Sequence, residues 1–171
     1  MDHGQAFIDL SRRYLRDDYL PKIERCLEQL SDEEVWWRPN EASNSIGNLL
    51  LHLSGNIRQW IVSGAGGAPD VRRRQEEFDA SEVVPAAVLL ARLKETLREV
   101  DEVLARLDPA VLGERRVIQG HERTVMEAVY HGVEHFGMHT GQILYVTKLF
   151  RASDLRFYEV KDGIATPTFR R

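Results

Sequence analysis

One cysteine, Cys26, is all this chain of 171 residues has, which excludes an intramolecular disulfide. It falls in an amphipathic stretch, where a buried, inert thiol is the expected reading rather than a nucleophile. No apolar run approaches the roughly 20 residues that a membrane-spanning helix needs. The opening stretch MDHGQAFIDLSRRYLRDDYL lacks the charged-then-apolar layout of a signal peptide. A concentrated basic face is missing too, and the net charge is −4, so contact with a phosphate backbone is not expected. Internal repeats, linkers and low-complexity tracts are absent. What remains is a cytoplasmic enzyme or binding protein whose partner is a small-molecule substrate, with neither nucleic acid nor membrane. The balance of 43% hydrophobic and 29% charged residues is that of a globular chain. Its length suits one domain over residues 1–171 with a substantial core.

Hydrophobic spacing predicts four long helices. The first covers residues 5–28, with Phe7, Leu10, Tyr14, Ile23 and Leu27 at spacings near three, four and seven, and Pro21 is expected to kink or split it. Ser31 and Glu34 have capping-box spacing for a short helical turn that Pro39 ends, and Trp36 and Trp37 are expected to pin this connection to the core. A second helix spans 45–64, carrying Ile46, Leu49, Leu50, Leu53, Ile57 and Trp60 on one stripe and Asn48, His52 and Asn56 on a line beside it. Next, AGGAPDVRRRQEEFDAS reads as a long connection, with Arg72, Arg73, Arg74, Glu76 and Glu77 forming a solvated, self-compensated surface. The third helix begins between 81 and 85 and lasts to 107, with Val88, Leu89, Leu93, Leu97, Val100 and Leu104 facing the core. Thr124 and Glu127 supply another capping box, opening a fourth helix over 125–150. His121 precedes it in an exposed loop, and the last twenty residues hold aromatics with no assignable period. The expected fold is all-α, a four-helix bundle with long connections.

The chemistry lies in the histidines. His131, His135 and His139 follow one another at intervals of four, and residues four apart sit only about 40° apart around a helix. Two of these imidazoles can share one ion, whereas all three fan over about 80°, which a single ion accommodates less easily. A pair from this helix with one donor from elsewhere is the favoured arrangement. Imidazole nitrogen suits zinc, nickel, copper and ferrous iron, and open zinc sites commonly use three protein donors. His52, alone on its helix face, reads by itself as a hydrogen-bonded core residue.

The segments SNSIGNLLLHLSGNIRQW and EHFGMHTGQILYVTK, with PDVRRRQEEF between them, resemble the DinB/YfiT-like superfamily of metalloenzymes, within it a bacterial branch that has no reaction assignment. The resemblance implies a helical bundle of four, a divalent ion such as zinc or nickel held by His52, His135 and His139, and pairing into a homodimer. Asn48, Asn56 and Gln142, three or four residues from those histidines, should then touch a ligand or line the pocket. His131 lies outside the implied triad and is the candidate for proton transfer, or else a pocket residue. Glu134 points about 100° away from His135 and is expected to face solvent. Some superfamily members transfer low-molecular-weight thiols to electrophiles and others are assigned to hydrolysis. Either activity uses an ion with an open position for water or a thiolate. A non-enzymatic, stress-associated module braced by its metal is the alternative.

Overall fold

A computed structural model describes residues 2–169, so the ends of the expected 1–171 unit lie outside the described residues. The chain opens on a helical rod built of α1 (His3–Tyr14), a π-helical turn (Leu15–Tyr19) and α2 (Leu20–Leu27). Asp2 starts it by accepting from the backbone of Gly4 and Gln5. Pro21 sits in the first turn of α2, directly after the π-helical turn that interrupts the regular helix. A short α3 (Asp32–Trp36) follows, opened by the Ser31–Glu34 capping box. Trp36 fastens it, donating its indole N–H to the carbonyl of Val84 at 2.8 Å, while Trp37 is half-exposed and meets Phe150 edge-on.

Ser45 and Asn48 form a reciprocal capping box at the head of α4 (Ile46–Ile57), which runs into a π-helical stretch, Arg58–Ala65. Then come α5 (Arg74–Asp79), α6 (Ala86–Arg106) and a 3-10 turn (Pro109–Gly113). The last long helix, α7 (Val125–Arg151), is opened by the Thr124–Glu127 box and closed by Ala152 in the left-handed conformation. Ile8 and Ile23 from the first rod, Leu50, Leu53, Ile57 and Ile61 from α4 and its extension, Leu93 and Leu104 from α6, and Phe136 and Ile143 from α7 are all buried together. Each such side chain stabilises the fold by roughly 1.5–3 kcal/mol. Val88, expected in this core, is exposed instead: it lies one residue, or about 100°, from the buried line through Leu89, Leu93 and Leu97. Leu10 is likewise exposed, off the buried line of Ile8, Ser11 and Leu15.

The helical expectation holds, but the all-α description needs correcting for two antiparallel hairpins. The strand β1 (Arg115–Ile118) pairs with β2 (His121–Thr124), Ile118 opposite His121; β3 (Tyr158–Lys161) pairs with β4 (Ile164–Pro167), Lys161 opposite Ile164. Both turns, Gln119–Gly120 and Asp162–Gly163, have two residues at positive φ, the signature of the tight turn that matches strand twist. Four-residue strands with mostly exposed side chains offer no hydrophobic alternation to read, so these segments look like loops in sequence. Buried Phe157 and Phe169 tie the second hairpin to the core. Cys26 is buried in the same core, and burial pushes its thiol up to about 11, as an inert residue requires. Among the described residues no helix is long and apolar enough to cross a membrane.

Candidate metal centre

Across the seam between α7 and α4 with its π-helical extension, His52, Asn56 and Trp60, at intervals of four, face His135 and His131, while His139 follows one turn further along α7. Gly132 brings the helices close, since a Cβ there would lie 3.0 Å from Ile61 Cδ1. At the centre of the seam the Nε2 atom of His135 is 3.2 Å from Nε2 of His52 and 3.2 Å from Nε2 of His139. One ligand atom from each of the three lies within 4.8 Å of the other two. His52 and His139 are buried and His135 is partly so. Two tetrahedral bonds of about 2.0–2.1 Å leave their donor atoms about 3.3 Å apart, so the two 3.2 Å separations are compatible with donors that share one divalent ion.

Burial disfavours charge on the α7 histidines. It pushes His135 down to about 3, with further repulsion from His139 and His52, and it lowers His139 and His131 as well. Neutral imidazoles keep the lone pairs that a metal needs.

The outer nitrogens have partners of their own. His139 donates from Nδ1 to Gln142 Oε1 at 2.6 Å. His52 donates from Nδ1 to Glu77 Oε2 at 2.9 Å. Both oxygens of Glu77 also accept from Arg72, from Nε and Nη2 at 2.8 Å each. Burial pushes Glu77 up, yet the hydrogen bonds from Arg72 and His52 outweigh it and hold the carboxyl below its usual range. Nδ1 of His135 is buried with no partner.

Among the expected flanking residues only Gln142 touches the triad. Asn56 reaches His131 instead, Nδ2 to Nε2 at 3.5 Å, the outer limit of a hydrogen bond. The Asn48 side chain turns to other partners; its amide donates to the carbonyls of Glu77 and Ala80, and its oxygen accepts from Arg38. It therefore holds the α5 segment in place from inside the capping box of α4. His131 packs on Trp60, ring centroids 4.0 Å apart, and its ring lies 5.2 Å from that of His135, outside the convergent group. Glu134 is exposed, as is His121, which sits on β2 rather than in a loop.

Arg72 and Glu77 overturn the expectation of a solvated charge cluster, their side chains being only 4% and 8% exposed. Sequence reasoning missed them because Glu77 lies 25 residues from His52, across an irregular connection that no periodicity spans. Arg73 and Glu76 between them do form the exposed, compensated pair that was expected.

A solved crystal structure of a conserved protein from Enterococcus faecalis shares this fold, with a TM-score of 0.71 over 85% of this chain and 97% of that one, at 17% identity. No curated protein matches the chain. A family model covers residues 2–163, which include every described helix and all three convergent histidines; by that match the chain belongs to the family described as "Protein of unknown function (DUF1572)".

Proposed function

We propose that the chain is a metal-dependent enzyme of the DinB/YfiT-like four-helix-bundle type, with zinc or nickel held by Nε2 of His52, His135 and His139. One observation carries this reading: three imidazole nitrogens converge, two of them on rings whose proton is already committed elsewhere. His52 and His139 each give an Nδ1 proton to an oxygen, so both Nε2 lone pairs face His135 Nε2. A proton on His135 Nε2 satisfies one of them at most, and a proton on its Nδ1 satisfies neither. A cation satisfies all three.

Three protein donors leave room for a further ligand, and an ion so held supplies Lewis acidity that makes a water or a low-molecular-weight thiol nucleophilic near neutral pH. Neutral donors leave the double positive charge uncompensated, because the Glu77 carboxylate is matched by Arg72. That favours an anionic partner. Among the described residues Glu77 is the one carboxylate bonded to a triad histidine, and it lies on the Nδ1 side with both oxygens engaged, so it is not free to act as a base. Thiol transfer to an electrophile and hydrolysis both remain open to such an ion, which acidifies a bound thiol or a bound water, and neither can draw on Glu77 as its base. His131, neutral and one turn before His135, is assigned proton transfer.

The reading is completed by one domain that pairs as a cytoplasmic homodimer and acts on a small-molecule electrophile. Tag-free protein should carry close to one zinc or nickel per chain by elemental analysis, and a screen of thiols against electrophiles should then find turnover. Metal far below one per chain after loading overturns the reading. Stoichiometric metal without turnover in the screen leaves a non-enzymatic module, in which the ion would brace α4 against α7.

A further inference from the structure

The connection between α4 and α6 is where a loop would be free to take any course, yet residues 70–80 are fixed at every turn. Asn48 and Arg38 hold the backbone carbonyls of the segment, both of them donating to those of Phe78 and Ala80. Arg72 is anchored on its free edge by Gln59, Nη1 to Oε1 at 2.8 Å, and Gln59 in turn donates to Asp70 at 2.7 Å. The whole arrangement delivers one carboxylate to one imidazole nitrogen. It passes over Gly55, where a Cβ would lie 1.9 Å from Glu77 Oε1. No other residue type at position 55 leaves that path open.

We propose that Arg72 and Glu77 are positioning residues for His52, fixing its Nδ1–H tautomer and ring orientation and thereby setting how tightly the triad holds its ion, with Gly55 keeping the approach open. The proposal rests on the metal reading above for its second half only. A carboxylate that accepts from both arms of a guanidinium has no proton to give, so the imidazole beside it must be the donor. Its remaining nitrogen, Nε2, is then a lone pair aimed at His135. Arg72 Nη2 also lies 3.1 Å from His52 Nδ1, two donors drawn together by the oxygen they share. Phe78 completes the clamp against the ring face, centroids 4.7 Å apart. Without the carboxylate, the proton is free to move to Nε2 and occupy the position a metal requires.

The test compares two double variants that both remove the buried charge pair, a change that is often neutral for folding. Arg72→Leu/Glu77→Leu leaves no acceptor at His52, whereas Arg72→Leu/Glu77→Gln restores an amide oxygen there. Nitrogen NMR of histidine-labelled, zinc-free protein reads the tautomer, and chelator competition reads zinc affinity. The Leu/Leu variant should shift His52 toward the Nε2–H form and bind zinc about 10–100-fold more weakly, and the Leu/Gln variant should recover most of both. Unchanged tautomer and affinity in Leu/Leu overturn the proposal. If that variant does not fold, Gly55→Ala, which displaces the carboxylate and keeps both charges, should give the same shift, and a wild-type result there overturns it equally. Should the wild type take up no zinc, the metal reading falls, and the tautomer shift alone decides for or against the positioning role.

Discussion

The two walls of the histidine centre are held by different means. On α7, His135 and His139 are placed by helix geometry alone, one turn apart, and the outer nitrogen of His139 finds Gln142 three residues further along the same helix, at an exposed position. On α4, the single ring of His52 is fixed by a buried ion pair that arrives from a connection 25 residues away, itself secured by Asn48, Arg38 and Gln59. The first wall needs only a regular helix. The second needs the tertiary fold to be complete, so there ligand geometry and folding stability are coupled.

Removing a donor should affect both walls alike and most severely. His135→Ala eliminates the nitrogen that both other ligands face, and stoichiometric zinc uptake should be lost altogether by elemental analysis; uptake near one per chain in this variant breaks the assignment. Removing a partner should separate the walls. Glu77→Leu leaves Arg72 buried and unpaired and should cost about 3–5 kcal/mol of stability in urea melts. Gln142→Ala, at the surface, should stay within about 0.5 kcal/mol of wild type and lower zinc affinity by about 10-fold. Equal destabilisation by the two variants would erase the distinction between a helix-built and a fold-built wall.

That distinction also marks how far the sequence could be read. The α7 histidines are legible because their spacing is the helix repeat, and the capping boxes at Ser31 and Thr124 are legible for the same local reason, whereas the box at Ser45 closes on Asn48, a residue whose spacing from His52 had pointed to the metal pocket. The meeting of His52 with His135 joins residues 83 apart, and only the resemblance of whole segments pointed to it. Glu77 was invisible: within RRRQEEF, one Arg–Glu pair is buried and another is solvent-exposed, and their composition is identical. Both hairpins escaped because their strands are short and polar.

Acid should act through the neutral rings. Unfolded imidazoles take up protons near pH 6.5, whereas His135 in the fold resists until about 3, and His139 and His131 shift the same way. Between those values the unfolded chain binds more protons, so the stability these buried rings contribute is full above about pH 6.5 and falls as the pH drops toward 3. Thermal melts of zinc-free protein across that range should show the loss, and zinc should leave in the upper part of it as protons compete for the same nitrogens. A flat stability profile from pH 7 to 4 would mean that the rings are already charged or exposed in the fold.

The smallest effect on binding is expected at His131, and it sharpens the comparison most, because it asks whether one helix suffices. His131, His135 and His139 form an unbroken ladder on α7, and a single-helix site would use all three without help from α4. Against this, His131 lies against Trp60 at 4.0 Å and would have to leave that contact to join, whereas His52 already lies 3.2 Å from His135. His131→Ala should therefore lower zinc affinity by less than about 10-fold, since its hydrogen-bond partner is Asn56, neither a triad histidine nor one of their outer partners. His52→Ala should lose stoichiometric binding. If titration gives the reverse ranking, with His52→Ala retaining wild-type affinity and His131→Ala losing it, the ion belongs to the ladder, and the buried Arg72–Glu77 clamp serves only to knit the connection onto α4.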